Sequence, residues 1–164
     1  MKYVCFVHVS AALGLLRFWF IMIKSLKKIY FLNLAPVAAG FMVLGLGKSL
    51  HAELAAGYPV PIFFTVLIFV LSAVTCLALP ILIRTLFANS VKDKKNVTGE
   101  EFLKFEKNLL YAAMITPWFS LIGYLCLLPK FYLATINLLA LYAVYYYYPS
   151  EKRINFDKKI FRVK

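Results

Sequence analysis

Apolar side chains fill four stretches of the chain almost without interruption, and the charged residues collect between these stretches instead of alternating with them. A helix of about 20 apolar residues, rising ~1.5 Å per residue, matches a ~30 Å hydrocarbon core. The pattern therefore predicts membrane-crossing helices over about 29–47, 61–83, 109–128 and 131–148. Barrel strands would be roughly half as long and would alternate, and lipid-exposed irregular backbone is too costly. The expectation is an all-α integral membrane protein: a four-helix transmembrane bundle over 24–148, preceded by an apolar segment 1–23 and followed by a basic tail 149–164.

Prolines and turn residues refine the elements. Pro80, near the far end of the second span, predicts a kink, and Pro117 interrupts the middle of the third. Only Pro129 and Lys130 separate the third span from the fourth, so those two form a tight antiparallel hairpin. Thr98 followed by Glu101 has the form of a capping box, with Glu100 and Glu101 at the positive end of a helix dipole. Phe102, Phe105 and Leu109 then recur at helical spacing, which starts the third helix near Gly99, ahead of the membrane. The segment 1–23 admits three readings: a fifth helix, an interfacial anchor, or a stretch upstream of a start at Met22. Arg17 inside it would be costly in hydrocarbon.

Charge sets the expected orientation. Lys24, Lys27 and Lys28 precede the first span; Arg84, Lys92, Lys94, Lys95, Lys104 and Lys107 flank the middle connection; Lys152, Arg153, Lys158, Lys159, Arg162 and Lys164 lie in the tail. Only Lys48 and Lys130 lie in the other two connections, so the positive-inside rule places both ends of the four-helix core and the middle loop in the cytoplasm of a bacterial inner membrane. Tyr145, Tyr146, Tyr147 and Tyr148 fall at the corresponding interface, as an aromatic belt does. The tail should be drawn toward anionic lipid. A formal net charge of +12 is accounted for by this topogenic excess and needs no nucleic acid. Composition agrees with membrane residence, with 63% hydrophobic residues and a mean hydropathy of +0.79.

Candidate chemistry is sparse. The seven acidic residues all lie outside the four predicted spans, and His8 and His51 are too few for a convincing metal or haem site. Cys5, Cys76 and Cys126 lack metal-ligand spacing. No catalytic, cofactor-binding or metal-ligating set is assigned. Asn137, Thr116 and Ser120 are the candidate intramembrane polar contacts, and Ala35, Ala39 and the glycines near Gly45 offer places for close helix approach. Phe102 and Phe105 are the candidate partner surface.

Function on this reading is that of a non-enzymatic accessory, assembly or scaffold subunit of a membrane complex, engaging a membrane-protein partner; a homo-oligomer belongs to the alternative. The alternative is a small oligomeric transporter or channel without an intramembrane carboxylate. A conducting path requires Asn137 and Thr116 to share a wet cavity; a scaffold requires them packed between helices, with Phe102 and Phe105 left open.

Overall fold

The computed structural model describes the backbone of residues 2–50, 60–92, 94 and 96–163, and the side chains of these residues from 19 to 46 and from 60 onward. His8, Arg17, His51 and the segment 51–59 fall outside the described side chains. The chain is all-helical: among the described residues the one non-helical pairing is an isolated parallel bridge between Val97 and Val163.

Helix α1 runs from Lys2 to Leu50 without a break. No turn separates the N-terminal apolar segment from the span expected at 29–47, so the two are not consecutive antiparallel crossings. The lysines at 24, 27 and 28 continue the helix because lysine is a good helix former, and Pro36 sits inside it. From Trp19 onward one narrow stripe of α1, Met22, Leu26, Tyr30 and Val37, is buried, while its other faces are open.

The second long helix runs from Ile62 to Val91, as α2 (Ile62–Ala73), a π-helical turn over Val74–Ala78, and α3 (Leu79–Val91). Pro80 explains the π turn. Proline has no N–H to offer the carbonyl four residues back, and the ladder shifts just before it, with the Leu79 N–H bonding the Val74 carbonyl. Helix continues past Arg84, where the predicted span ended.

The third long helix, Gly99–Leu125, is divided by Pro117 into α4 (Gly99–Met114) and α5 (Thr116–Leu125). The Thr98–Glu101 capping box forms in both directions. A turn over 126–129 then leads to α6 (Lys130–Tyr146). It closes with the Leu128 N–H on the Gly123 carbonyl and the Leu127 N–H on the Tyr124 carbonyl, a Schellman pair in which Leu127 occupies the left-handed region at φ 49°.

Among the described residues, three helices, Trp19–Leu46, Ile62–Val91 and Gly99–Leu125, have the length and apolarity to cross a membrane, where four were expected. The fourth predicted span forms α6, but its 17 residues rise only ~26 Å, because the tyrosine run leaves helical geometry at Tyr147.

The tail is folded. Ser150 caps α7 (Glu151–Ile160), accepting from the Arg153 N–H, and Ile154 and Asp157 are buried. The molecule thus has a charged end, where α7 meets α1, α3 and α4, and a hairpin end at 126–129. The densest core lies at the charged end. There Phe102 packs edge-on to Trp19 at 6.4 Å, Phe105 stacks on Phe87 at 4.2 Å, and Phe161 meets both Phe87 and Phe105.

Candidate functional site

Three arrangements of polar side chains stand out from the apolar background, and the first lies between the long helices. Thr65 and Ser72 on α2 and Thr75 in the π turn share a buried face opposite α5 and α6. Thr75 Oγ1 lies 2.9 Å from the Leu71 carbonyl and 3.1 Å from Thr116 Oγ1. A hydroxyl has one proton; with that of Thr75 directed to its own backbone, Thr116 is the donor between them. Ser120, one turn further along α5, donates to Asn137 Oδ1 on α6. Cys76 reaches the Leu139 carbonyl, and the Tyr30 hydroxyl donates to the Val144 carbonyl at 3.0 Å. Hydrogen bonds between helices at this depth replace contacts that lipid cannot supply.

A lateral window opens beside this seam, with a volume of about 420 Å³. Its frame is α1 on one side and α6 on the other, joined at one end by Tyr30, which bonds Val144 and packs edge-on to Tyr148 at 5.3 Å. At the other end Phe41 packs against Tyr124 at 5.8 Å. The walls are Val37, Ala38, Leu141 and Val144, and Pro117, Ser120 and Asn137 supply the floor. Asn137 has two amide donors on Nδ2, and neither bonds any described residue. The close approach that frames the window falls at Gly40, where a Cβ would sit 2.9 Å from Leu121 Cδ2. Ala35 and Ala39, expected to make such an approach, are exposed instead, and nothing lies within 4 Å of a Cβ at Gly45.

Sequence reading placed Thr116, Ser120 and Asn137 together, but the structure separates their settings. Thr116 has no exposed surface and is bonded to Thr75, whereas Ser120 and Asn137 reach the window. Thr116 and Asn137 therefore do not line that cavity in common. Phe102 and Phe105 are corrected more sharply. They are 0% and 3% exposed, covered by Trp19, Phe87 and Phe161, so they are core residues and present no surface to a partner.

The third arrangement is ionic and lies at the charged end. Glu106 on α4 is 2% exposed and Asp157 on α7 is 1% exposed. Arg153 Nη2 donates to Glu106 Oε2 at 2.9 Å, and Arg84 Nη2 donates to both Asp157 oxygens at 2.8 and 2.7 Å. Arg153 Nε lies 3.8 Å from Asp157, one helical turn away on α7. Two buried carboxylates thus pair with two arginines, the four side chains coming from α3, α4 and α7. The network leaves hydrogen-bonding capacity over: Arg84 Nε, Arg153 Nε and Nη1, and Glu106 Oε1 are buried without hydrogen-bond partners. Sequence reading missed this cluster because its pairs lie 47 and 73 residues apart. Its one visible trace was Glu106 standing on the same helical extension as Phe102 and Phe105.

An all-helical chain whose three longest helices can each cross a bilayer, with Thr116 and Ser120 making hydrogen bonds between helices, is the class that fold and seam define. No protein-family model, no curated protein and no solved structure matches it.

Proposed function

We propose that the chain is a four-span protein of a bacterial cytoplasmic membrane, with α6 as a short fourth crossing, and that it serves as a non-enzymatic accessory, assembly or scaffold subunit. The observation that carries the reading is the window between α1 and α6. A half-buried asparagine faces it with both Nδ2 protons unspent. In hydrocarbon such donors are costly unless another protein supplies an acceptor. The occupant is a transmembrane helix of a partner, inserting one apolar side chain between Val37 and Leu141 and offering a carbonyl or hydroxyl to Asn137. Small neighbours on the rim, Ala38 and Ala140, favour close helix approach. The largely unburied length of α1 gives the partner an apolar helix to lie against.

The hydroxyls in the helices support a structural role over nucleophilic chemistry. Those of Thr75, Ser120 and Thr135 are engaged with a backbone carbonyl or an amide, not with a base. Orientation, with the charged end in the cytoplasm, rests on the distribution of Lys and Arg, and 17 residues is at the lower limit for a crossing.

The test is site-specific photocrosslinking from position 38 in natively expressed, C-terminally tagged protein, combined with mild-detergent purification and mass spectrometry. A single membrane protein crosslinked at position 38 and retained in stoichiometric amount, but lost from Asn137→Leu, is the expected result. Crosslinks to lipid alone, or to a second copy of the chain in a clean homo-oligomer, would overturn the accessory reading. The homo-oligomer outcome would put the transporter or channel in its place.

A further inference from the structure

Folding of the tail into α7 sorts its cations into two groups. Arg153 is turned into the bundle, paired with Glu106 at 2.9 Å, and Lys158 lies over the Trp19 ring, 4.5 Å from its centroid. Arg84, beside the helix, is likewise engaged by Asp157 at 2.7 Å. These charges are already matched within the protein. Lys152, Lys159 and Arg162, in contrast, are exposed.

At ~100° per residue, Lys152, Phe156, Lys159 and Ile160 fall on one face of α7, opposite the buried Ile154. Phe156 is 62% exposed and Ile160 52%. Glu151, the one exposed acid of this helix, lies ~100° round from Lys152. The face thus sets two ammoniums around two open apolar side chains, with Arg162 just past the helix end. A helix face that is both basic and apolar suits an anionic lipid surface.

Arg84 gives the depth of this face. From Ile62 to Arg84 the helix rises ~33 Å, close to the ~30 Å of a hydrocarbon core. Arg84 and the Asp157 it holds therefore stand at the membrane boundary if these helices cross a bilayer. Phe156 shares a cleft there with Arg84, Tyr145, Tyr146 and Tyr148, and Tyr145 is 86% exposed on the outside of α6. The open face of α7 accordingly continues the outer face of a membrane helix. This continuity favours lipid over an acidic protein as its occupant. Because Asp157 meets Arg84 and Phe161 meets Phe87, α7 runs beside α3 in the same sense and rises from the boundary instead of lying flat. The long arms of Lys152 and Lys159 then reach the headgroups, as lysines at helix ends do.

We infer that Lys152, Phe156, Lys159 and Ile160 form a binding surface for anionic phospholipid, with Phe156 at headgroup level beside Tyr145 and the two ammoniums on lipid phosphates. The inference rests on the membrane reading above, but not on the partner helix in the window.

The test reads lipid contact at position 156. Phe156→Trp places an indole on the face, and the full chain is reconstituted in vesicles. A fixed fraction of either phosphatidylglycerol or phosphatidylcholine is brominated on its acyl chains near the headgroup, and quenching is compared with that of the parent protein. The expected preference for phosphatidylglycerol is about tenfold, each lysine near an anionic surface contributing up to about fivefold. In the same background, Lys152→Gln with Lys159→Gln should bring the preference to within about twofold of unity. Lys94→Gln with Lys158→Gln removes as much charge from cations already engaged by Glu101 and Trp19, and should change it less than about twofold. Equal quenching by the two lipids, or equal losses in the two double variants, would overturn the surface. So would an indole at 156 that neither lipid quenches, which would give the face to a protein. The parent protein separates the two levels of the argument through Trp118, exposed on α5. If neither lipid quenches Trp118, the membrane reading itself fails; if Trp118 is quenched and position 156 is not, only the α7 surface fails.

Discussion

Replacing Arg153 by methionine removes the arginine that bonds Glu106 while keeping much of the side chain's volume. The carboxylate is 2% exposed, one oxygen held at 2.9 Å and the other already unpartnered. Breaking a buried pair from one side costs ~3–5 kcal/mol, because the remaining charge keeps its desolvation penalty and loses its compensation. Arg84 still holds Asp157 by two bonds, so the low end of that range applies, about 3 kcal/mol. The cost falls on the attachment of α7, and it should appear as local opening. Amide hydrogen exchange of residues 153–160, measured on full-length protein in nanodiscs, should accelerate on the order of 10²-fold, at ~1.4 kcal/mol per tenfold. Adding Glu106→Leu removes the stranded charge, and the double variant should return to within about 1 kcal/mol of the parent protein. An acceleration of less than about fivefold in Arg153→Met, or a double variant that exchanges faster than the single, would refute the claim that this pair fastens the helix.

Other expectations follow from the same geometry. Phe102→Ala empties a fully buried ring site between Trp19 and Phe105 and should cost ~3–5 kcal/mol; a loss of stability below about 1 kcal/mol in detergent unfolding would mean that the charged end is loosely packed. Thr75→Val and Thr116→Val should couple by roughly 0.6 kcal/mol, the mean for interhelical hydrogen bonds in membranes, and strict additivity in the double-mutant cycle would exclude the bond. Leu127→Gly should raise the Tm by relieving about 1 kcal/mol of left-handed strain at φ 49°, since the buried contact of this turn is made by Leu128; a lowered Tm would show that the Leu127 side chain itself holds the hairpin.

Much of the helix plan was legible in the sequence because its signals are local. Hydrophobic length gave the long helices, Pro117 divided the third, Pro129 closed the hairpin, and Thr98 with Glu101 placed the start of α4 near Gly99, where it lies. Boundaries failed where a charge was read as a stop: neither the lysines at 24–28 nor Arg84 ends a helix, since a long cationic side chain fits a helix and can reach away from lipid. The sites failed for a different reason. The spacing of Phe102 and Phe105 identified an apolar face, but what covers it comes from Trp19, Phe87 and Phe161, and no local pattern names a partner that far along the chain. The Ser120–Asn137 contact was the exception, made across a short hairpin whose register the turn sets.

Helix α7 follows every other described element along the chain, and this gives the molecule a timetable. While the ribosome is still making residues 151–161, the long helices can already be threaded into the bilayer, yet Glu106 has no counter-ion and Phe87 and Phe105 lack one of the rings that cover them. This late-emerging stretch is therefore the keystone of the charged end, and a chain cut short before Arg153 would present a surveillance protease with a stranded carboxylate and two partly uncovered phenylalanines.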